Sequence, residues 1–473
     1  MSQEIKADYK QIMIFPPCVE DWVPANHPAR FIREIVEAMN LEEIGFKKSE
    51  GEEGRPHYAT EMLLEVWLYG YYSKIRSTRG LEKACMENLA LIWLTGNNTP
   101  DHNTLWRFFR DNKKAIRKVF KQSVRVALDA SLVGMVVHAL DGTKIRAAAS
   151  NRTALSKKAL DAELKKLDEQ IEELEAQVEA GHGKEGGQGW ALPDELRDAA
   201  VLRDAVQAGL AALKNEGAGN ISVDDPDARV MKTPEGNRFA YNAQAVADEA
   251  SGLIVGIDVV NEENDWRQLT PMLERATDTL DGRVAQENLA DAGYACGEQI
   301  AAARDAGYEI MLPMEAEKAE EFHVINFEHD VQRDVVVCPM GRTLEFEREK
   351  ESRTGNCTLR IYRCRHGEYC ERAAECTKDK QGRMVGIAPW HAHIRAQREK
   401  QRDKEKRRLR KRRGAIIEIV FAGIKENFGF RRFTVRGLES VKTQWSLVCT
   451  AFNLRKLYRT WISGNLKIAL RAV

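Results

Sequence analysis

Near residue 131 the chain changes character, and the change fixes the kind of fold it can adopt. Upstream the pattern is helical. Downstream, LVGMVVHAL is an apolar, β-prone run that ends at Asp141, and a polar strand, TKIRAAAS, follows it. Beyond an insertion come the strands RFAYNAQAVAD and LIVGIDVV joined by the turn EASG, then the amphipathic helix DWRQLTPMLERATDTL. A strand ending NLADAGY, a helix near 297–306 and the strand YEIMLPM complete the series. Three strands, then helix, strand, helix and strand, predict a mixed α/β sheet.

Residues 1–125 are expected to form a separate helical domain. MLLEVWLYGYY (62–72) suits a buried helix, and Thr78 is placed to cap RGLEKACMENLALIWL. Gly96, Asn97 and Asn98 stop that helix; Pro100, Asp101 and Asn103 start the next. Such a pair reads either as a helix-turn-helix or as part of an ordinary bundle. Within 131–473 two insertions are expected. In 157–225, Leu160, Leu164, Leu167, Ile171, Leu174 and Val178 alternate four and three apart, a heptad seam. A second helix at roughly 193–215 carries Leu196, Leu202, Val206, Leu210 and Leu213, so an antiparallel hairpin held by intramolecular packing is expected. The second insertion, 316–413, reads as irregular over 316–390 and then as strongly basic. Between Arg395 and Arg413 there are twelve Lys or Arg and three acids. The helix GAIIEIVFAGIKENF, the loop GFRRFTVRG and a last helix, SVKTQWSLVCTAFNLRKLYRTW, follow. That last helix is expected to close the sheet.

Lys plus Arg and Asp plus Glu each total 72, so any affinity for polyanions must come from segregated charge such as this basic run. No apolar run reaches membrane-spanning length, and MSQEIKADYKQ lacks the apolar core of a secretory signal, so a cytoplasmic location is expected. Five of the nine cysteines fall between Cys338 and Cys376. In a reducing compartment that clustering suggests metal or free thiols before disulfides. Cys338, Cys364, Cys370 and Cys376 are the candidate Zn2+ ligands, with His366 or Cys357 as substitutes. The C-x5-C-x5-C spacing lacks the usual short knuckle, and free thiols are the alternative.

Three carboxylates stand out by position. Asp141 and Asp291 each end a strand and precede small residues, and strand ends are where α/β sheets place sites. Glu418 lies among Ile416, Ile417, Ile419 and Val420, where a carboxylate is costly unless paired or bound to metal. Lys425 follows two helical turns later, on the same face. Carboxylates are the ligands that hard divalent ions prefer, and a pair of such ions suits phosphodiester chemistry. Among 72 acids, three so placed can also arise by chance.

LDGTKIRAAAS, YNAQAVAD, LADAGY and IEIVFAGIKENFGFRRFTVRGLESVKTQWSLVCTAFNLRKL resemble the blocks of bacterial insertion-sequence transposases with a DDE, ribonuclease-H-like core. RPHYATEMLLEVWLYGYYSKIRSTRGLEKAC and PDHNTLWRFFRDN resemble their N-terminal, InsH-type domain. The likeness is weakest in 157–225 and 316–410. It implies a ribonuclease-H-like α/β domain with a helical N-terminal DNA-binding domain. It also implies Asp141, Asp291 and Glu418 as ligands of two Mg2+ (or Mn2+) ions, with Lys425 completing E-x6-K. Glu439 is the rival third acid. The family's arginine before the glutamate is matched best by Arg413. The implied reaction is cleavage at element ends, followed by attack of the freed 3′-hydroxyl on target DNA. A nuclease that does not join ends, or an inactive DNA-binding descendant, is the alternative. The partners implied are double-stranded DNA (terminal inverted repeats and target) and a second copy of the chain or more, at the bacterial nucleoid. Candidate DNA contacts are Arg107, Arg412, Arg413, Lys425, Arg431, Arg432 and Trp445, with Trp106 beside them.

Overall fold

A computed structural model describes residues 18–46, 57–149, 154–155, 157–182, 221–222, 224–314, 321–352, 357–365, 370–379 and 381–466, with parts of 199–211. The chain forms two compact units, Met1–Ala130 with Lys442–Val473, and Ser131–Val441.

The first unit is helical: α1 (Pro28–Glu37), α2 (Leu41–Ile44), α3 (Thr60–Tyr72), α4 (Thr78–Glu87), α5 (Leu89–Leu94), α6 (His102–Asp111) and α7 (Lys113–Asp129). Every residue of α3 from Leu63 to Tyr71 is buried, as the apolar run requires of a central helix. The run RGLEKACMENLALIWL is two helices, not one. Ser77, rather than Thr78, caps the first by accepting from Gly80 N, and Asn88 caps the second by accepting from Ala90 N and Leu91 N. Asp101 caps α6 through Thr104 N at 2.7 Å, as its start signal predicts. The C-terminal helix Leu438–Ile462 does not close the sheet; from Lys442 onward it belongs to this unit. There Gln444 donates to the Tyr71 hydroxyl, and Trp461 and Tyr458 pack on Phe31. The helix is enclosed nearly all round: Trp445, Leu447, Val448, Cys449, Leu454 and Leu457 are buried, and so are the polar Thr443, Gln444, Ser446, Thr450 and Asn453.

The second unit holds β1 (Val137–Arg146), β2 (Ala154–Leu155), α8 (Lys157–His182), β3 (Ile221–Ser222), β4 (Arg229–Thr233), β5 (Gly236–Asp248), β6 (Ile254–Val260), α9 (Leu269–Thr279), β7 (Glu287–Leu289), α10 (Gly297–Asp305) and β8 (Ile310–Met311). The central sheet runs β4-β5-β1-β7-β8, with β6 also paired to β5. β1, β5 and β6 are antiparallel neighbours, while β7 and β8 join in parallel through helical crossovers. Without β4, the order 3-2-1-4-5 in a mixed sheet is consistent with a ribonuclease-H-like fold. The mixed α/β class expected from the sequence is what forms.

β1 corrects one expectation. Asp141 does not end a strand: β1 continues through it to Arg146, paired along its whole length with β5. The partner that ends is β7, whose register with β1 stops at Ala139 and Leu289.

The insertion after β1 is closed at its base by the two-residue ladder of β2 and β3, Ala154 opposite Ser222 and Leu155 opposite Ile221. In it Leu160 and Leu167 pack with Val206, Leu210 and Ile221, whereas Ile171 packs with Ala199. Rising numbers on one side meet falling numbers on the other, which is the antiparallel hairpin the heptad seam predicts. Val178, Leu196, Leu202 and Leu213 lie outside the described side chains.

Residues 316–390 are not irregular. They contain a second, antiparallel sheet, β13-β12-β11-β10-β9, formed by β9 (Glu328–Asp330), β10 (Val335–Val337), β11 (Thr343–Glu351), β12 (Thr358–Arg363) and β13 (Met384–Ile387), with α11 (Ala373–Cys376) between the last two. Its core is Phe327, Val336, Leu344, Tyr362, Val385 and Ile387. The basic run forms α12 (His391–Arg402) and α13 (Lys404–Ala422), separated at Asp403, which caps α13 through Glu405 N at 2.8 Å. A π-helical turn, Gly423–Asn427, extends α13.

Candidate active site

The parallel register brings Asp141 and Asp291 together. Two residues beyond the Ala139–Leu289 pair on each strand stand Asp141 and Asp291, where β7 has left the sheet and a gap opens beside β1. Asp291 caps a single turn, Ala292–Tyr294, its Oδ1 accepting from Gly293 N at 2.8 Å. Asp141 Oδ1 accepts from Gly142 N at 2.8 Å, and Oδ2 accepts from Arg413 Nη1 at 2.7 Å. Burial pushes the Asp141 carboxyl above its ordinary range; Arg413 opposes that and the charge of Asp291 adds to it.

Arg413 is on α13, which packs on β1 and β5. Lys425, half-buried in the π-helical turn, has its ammonium pushed down by burial and next by Arg431, while Asp141 draws it up. Arg413 and Lys425 both act on Asp141, so the stretch of α13 between them, which carries Glu418, passes that aspartate. Glu418 itself is solvent-exposed. Its carboxylate turns back over Gly414, with Oε1 2.9 Å from where a Cβ there would sit, and among the described residues no three acids are grouped closely enough to hold a metal ion. Glu439, the rival, is exposed in the first turn of the C-terminal helix.

Sequence reading missed the network behind the two aspartates. Asn242 and Gln244 alternate along β5 and donate to Asp265 Oδ1 at 2.6 and 2.5 Å, with Lys144 3.7 Å away. The buried Tyr294 hydroxyl donates to Gln244 Oε1. Gly142 faces Gln244 across the ladder, so a Cβ at 142 would stand 2.3 Å from Gln244 Nε2 and 2.5 Å from Asp265 Oδ1. Asp265 Oδ2 and Asp291 Oδ1 both turn toward Gly293. Burial, then Asp265, Asp141 and Asp291, push the Tyr294 phenol far up, so it stays a donor. The legible signal was Asn242-x-Gln244: two amides on one face of an otherwise apolar strand require partners.

The remaining candidates scatter. Trp445 is completely buried, which removes it from any surface that touches DNA. Part of the basic run is spent on docking: Lys400 pairs with Glu309, Lys406 with Glu287, and Arg412 with Glu249. Arg431 pairs with Glu426 at 2.5 Å, and Arg432 donates to the carbonyls of Ala147 and Ala148. Arg107 and Trp106 sit on the exposed face of α6. Cys338, Cys364, Cys370 and Cys376 line one pocket; His366 lies outside the described residues.

The fold and the site together define a mixed α/β protein of ribonuclease-H-like type with two converging aspartates and a basic helix packed beside them. Two family models make that narrower. Residues 337–458 match the Transposase DDE domain, and residues 17–111 match the Transposase domain (DUF772). Together the two matches support a transposase of the insertion-sequence DDE type. Glu418 and Lys425 fall within the first match; Asp141 and Asp291 fall in neither. No curated protein matches the chain.

Proposed function

We propose that this transposase binds the double-stranded ends of its element, cuts them and transfers the freed 3′-hydroxyl to target DNA. The observation that carries this is the register that sets Asp141 beside Asp291 at the point where β7 leaves β1. Two carboxylates held close, one pushed up by burial and by its neighbour's charge, are under-neutralised by Arg413 alone. That donor set fits a hard divalent cation. Asp141 and Asp291 would hold Mg2+ or Mn2+, and Glu418 would complete the set by a rotamer change from its exposed position on α13. Two bound ions supply an activated oxygen nucleophile and charge relief on the leaving oxygen.

The chain's own residues position the rest. Tyr294, in the turn that Asp291 caps, ties that turn through Gln244 to Asp265, which Asn242 also holds. Lys425, kept close to Asp141, is placed to meet a phosphate, as are the exposed Arg431 and Arg432. Arg107 and Trp106 on α6 would contact the element ends, and Arg412, largely exposed beside Glu249, would lie along the DNA track, while Arg413 stays on Asp141. Joining two ends calls for a dimer or larger assembly, working at the nucleoid in the cytoplasm; no described helix is long and apolar enough to cross a membrane.

The test uses labelled element ends, target plasmid and Mg2+. Wild type is expected to cleave and join. Asp141→Asn is expected to lose both and to keep end binding. Hydrolysis without joining would identify a nuclease instead, and undiminished cleavage by Asp141→Asn would reject the site.

A further inference from the structure

The second sheet has a feature that DNA chemistry does not use. Its antiparallel order brings the β10–β11 turn and the β12–β13 connection to the same end. Cys338 opens the first. Cys364, Cys370 and Cys376 lie in the second. All four line one pocket whose other walls include Phe322, Phe327 and Leu344.

None of the four is in a disulfide. The turn at Cys338 brings a backbone amide to its sulfur. Gly341 N donates to Cys338 O at 2.8 Å, Gly341 takes φ +72°, and Arg342 N points at Cys338 Sγ from 3.4 Å. Arg342 and Arg383 also line the pocket and offset the excess negative charge that four thiolates would leave around a divalent ion. Cys357 does not belong here: it follows β11 and precedes β12, at the opposite end of the sheet, where Ser352 N donates to its carbonyl.

We propose that Cys338, Cys364, Cys370 and Cys376 bind one structural Zn2+ as a tetrathiolate that pins this end of the five-stranded sheet. Among the described residues no three Cys, His, Asp or Glu side chains are yet at ligating spacing, so binding draws the sulfurs inward from the pocket wall. One strand of the sheet leans little on apolar burial: eight of the nine residues of β11 are exposed. A closed tetrahedral site of this kind adds folding free energy directly.

The test is elemental analysis of the purified full-length protein, with X-ray absorption at the zinc edge. About one zinc per chain is expected, in a shell of sulfurs at about 2.3 Å. Cobalt substitution should give thiolate-to-metal charge-transfer bands. Cys376→Ser and Cys364→Ser should lose most of the metal, while Cys357→Ser should keep it. A folded wild-type chain without zinc, a shell dominated by nitrogen or oxygen, or full retention by Cys376→Ser would overturn the proposal. The metal content is read without any transposition assay, so its failure and that of the catalytic site are separate results.

Discussion

Replacing Glu65 with Gln should make the helical unit more stable at pH 8 and leave it little changed near pH 4.5. Glu65 is 5 % exposed in the middle of α3. Burial is the main cause that lifts its carboxyl from 4.5 to about 8; Glu37 and Glu61 add to the rise, and Arg33 counters it. Arg33 is itself engaged with Glu37 at 2.7 Å. The folded state therefore keeps a proton that the unfolded chain gives up above pH 4.5. Stability from this group is fully present below the unfolded value and is lost as pH rises through 8. At 1.36 kcal/mol per unit, the wild-type loss approaches ~3 kcal/mol by pH 7 and ~5 kcal/mol at pH 8 and above, as ceilings. Glutamine cannot ionise and fills the same space. Denaturant unfolding followed by tryptophan fluorescence, at pH 5 and pH 8, compares the two proteins. The variant should gain several kcal/mol over wild type between those pH values. An identical pH dependence for both, or a variant less stable at pH 8, would refute the linkage.

Two further substitutions probe the site and its supposed surface. Gly142→Ala must push aside Gln244 and Asp265; a loss of about 1–3 kcal/mol and slower end cleavage by a still-folded protein are expected, read by calorimetry and a labelled-end assay. Trp445→Ala should cost about 3–5 kcal/mol in thermal unfolding yet leave end affinity per folded molecule unchanged, because a fully buried indole touches no DNA.

The alternation of strands and helices after residue 131 was readable because each element of the first sheet buries an apolar face: β5 is buried from Phe239 to Asp248. The second sheet was not readable for the opposite reason. β11 buries Leu344 alone and sets Glu345, Glu347 and Glu349 against arginines of β12, so no period of two in hydrophobicity survives. Asp141 and Asp291 were legible as acids beside small residues. Their true placement was not, since what ends at Asp141 is the neighbouring strand, a fact of pairing rather than of local sequence. Asp265 escaped notice because its partners, Asn242 and Gln244, are more than twenty residues away in the chain. The basic run promised a phosphate track, yet several of its charges answer acids at the sheet's strand ends that only the fold brings within reach.

The two rungs that pair β2 with β3 give the hairpin insertion the character of an exchangeable cartridge. Its leucines satisfy one another, and its entry and exit stand side by side as one clasp. Grafting Leu155 directly to Ile221 excises it without severing any strand of the six-stranded sheet. Length at this position is thus free to vary while the spacing of the acids beside β1 stays fixed.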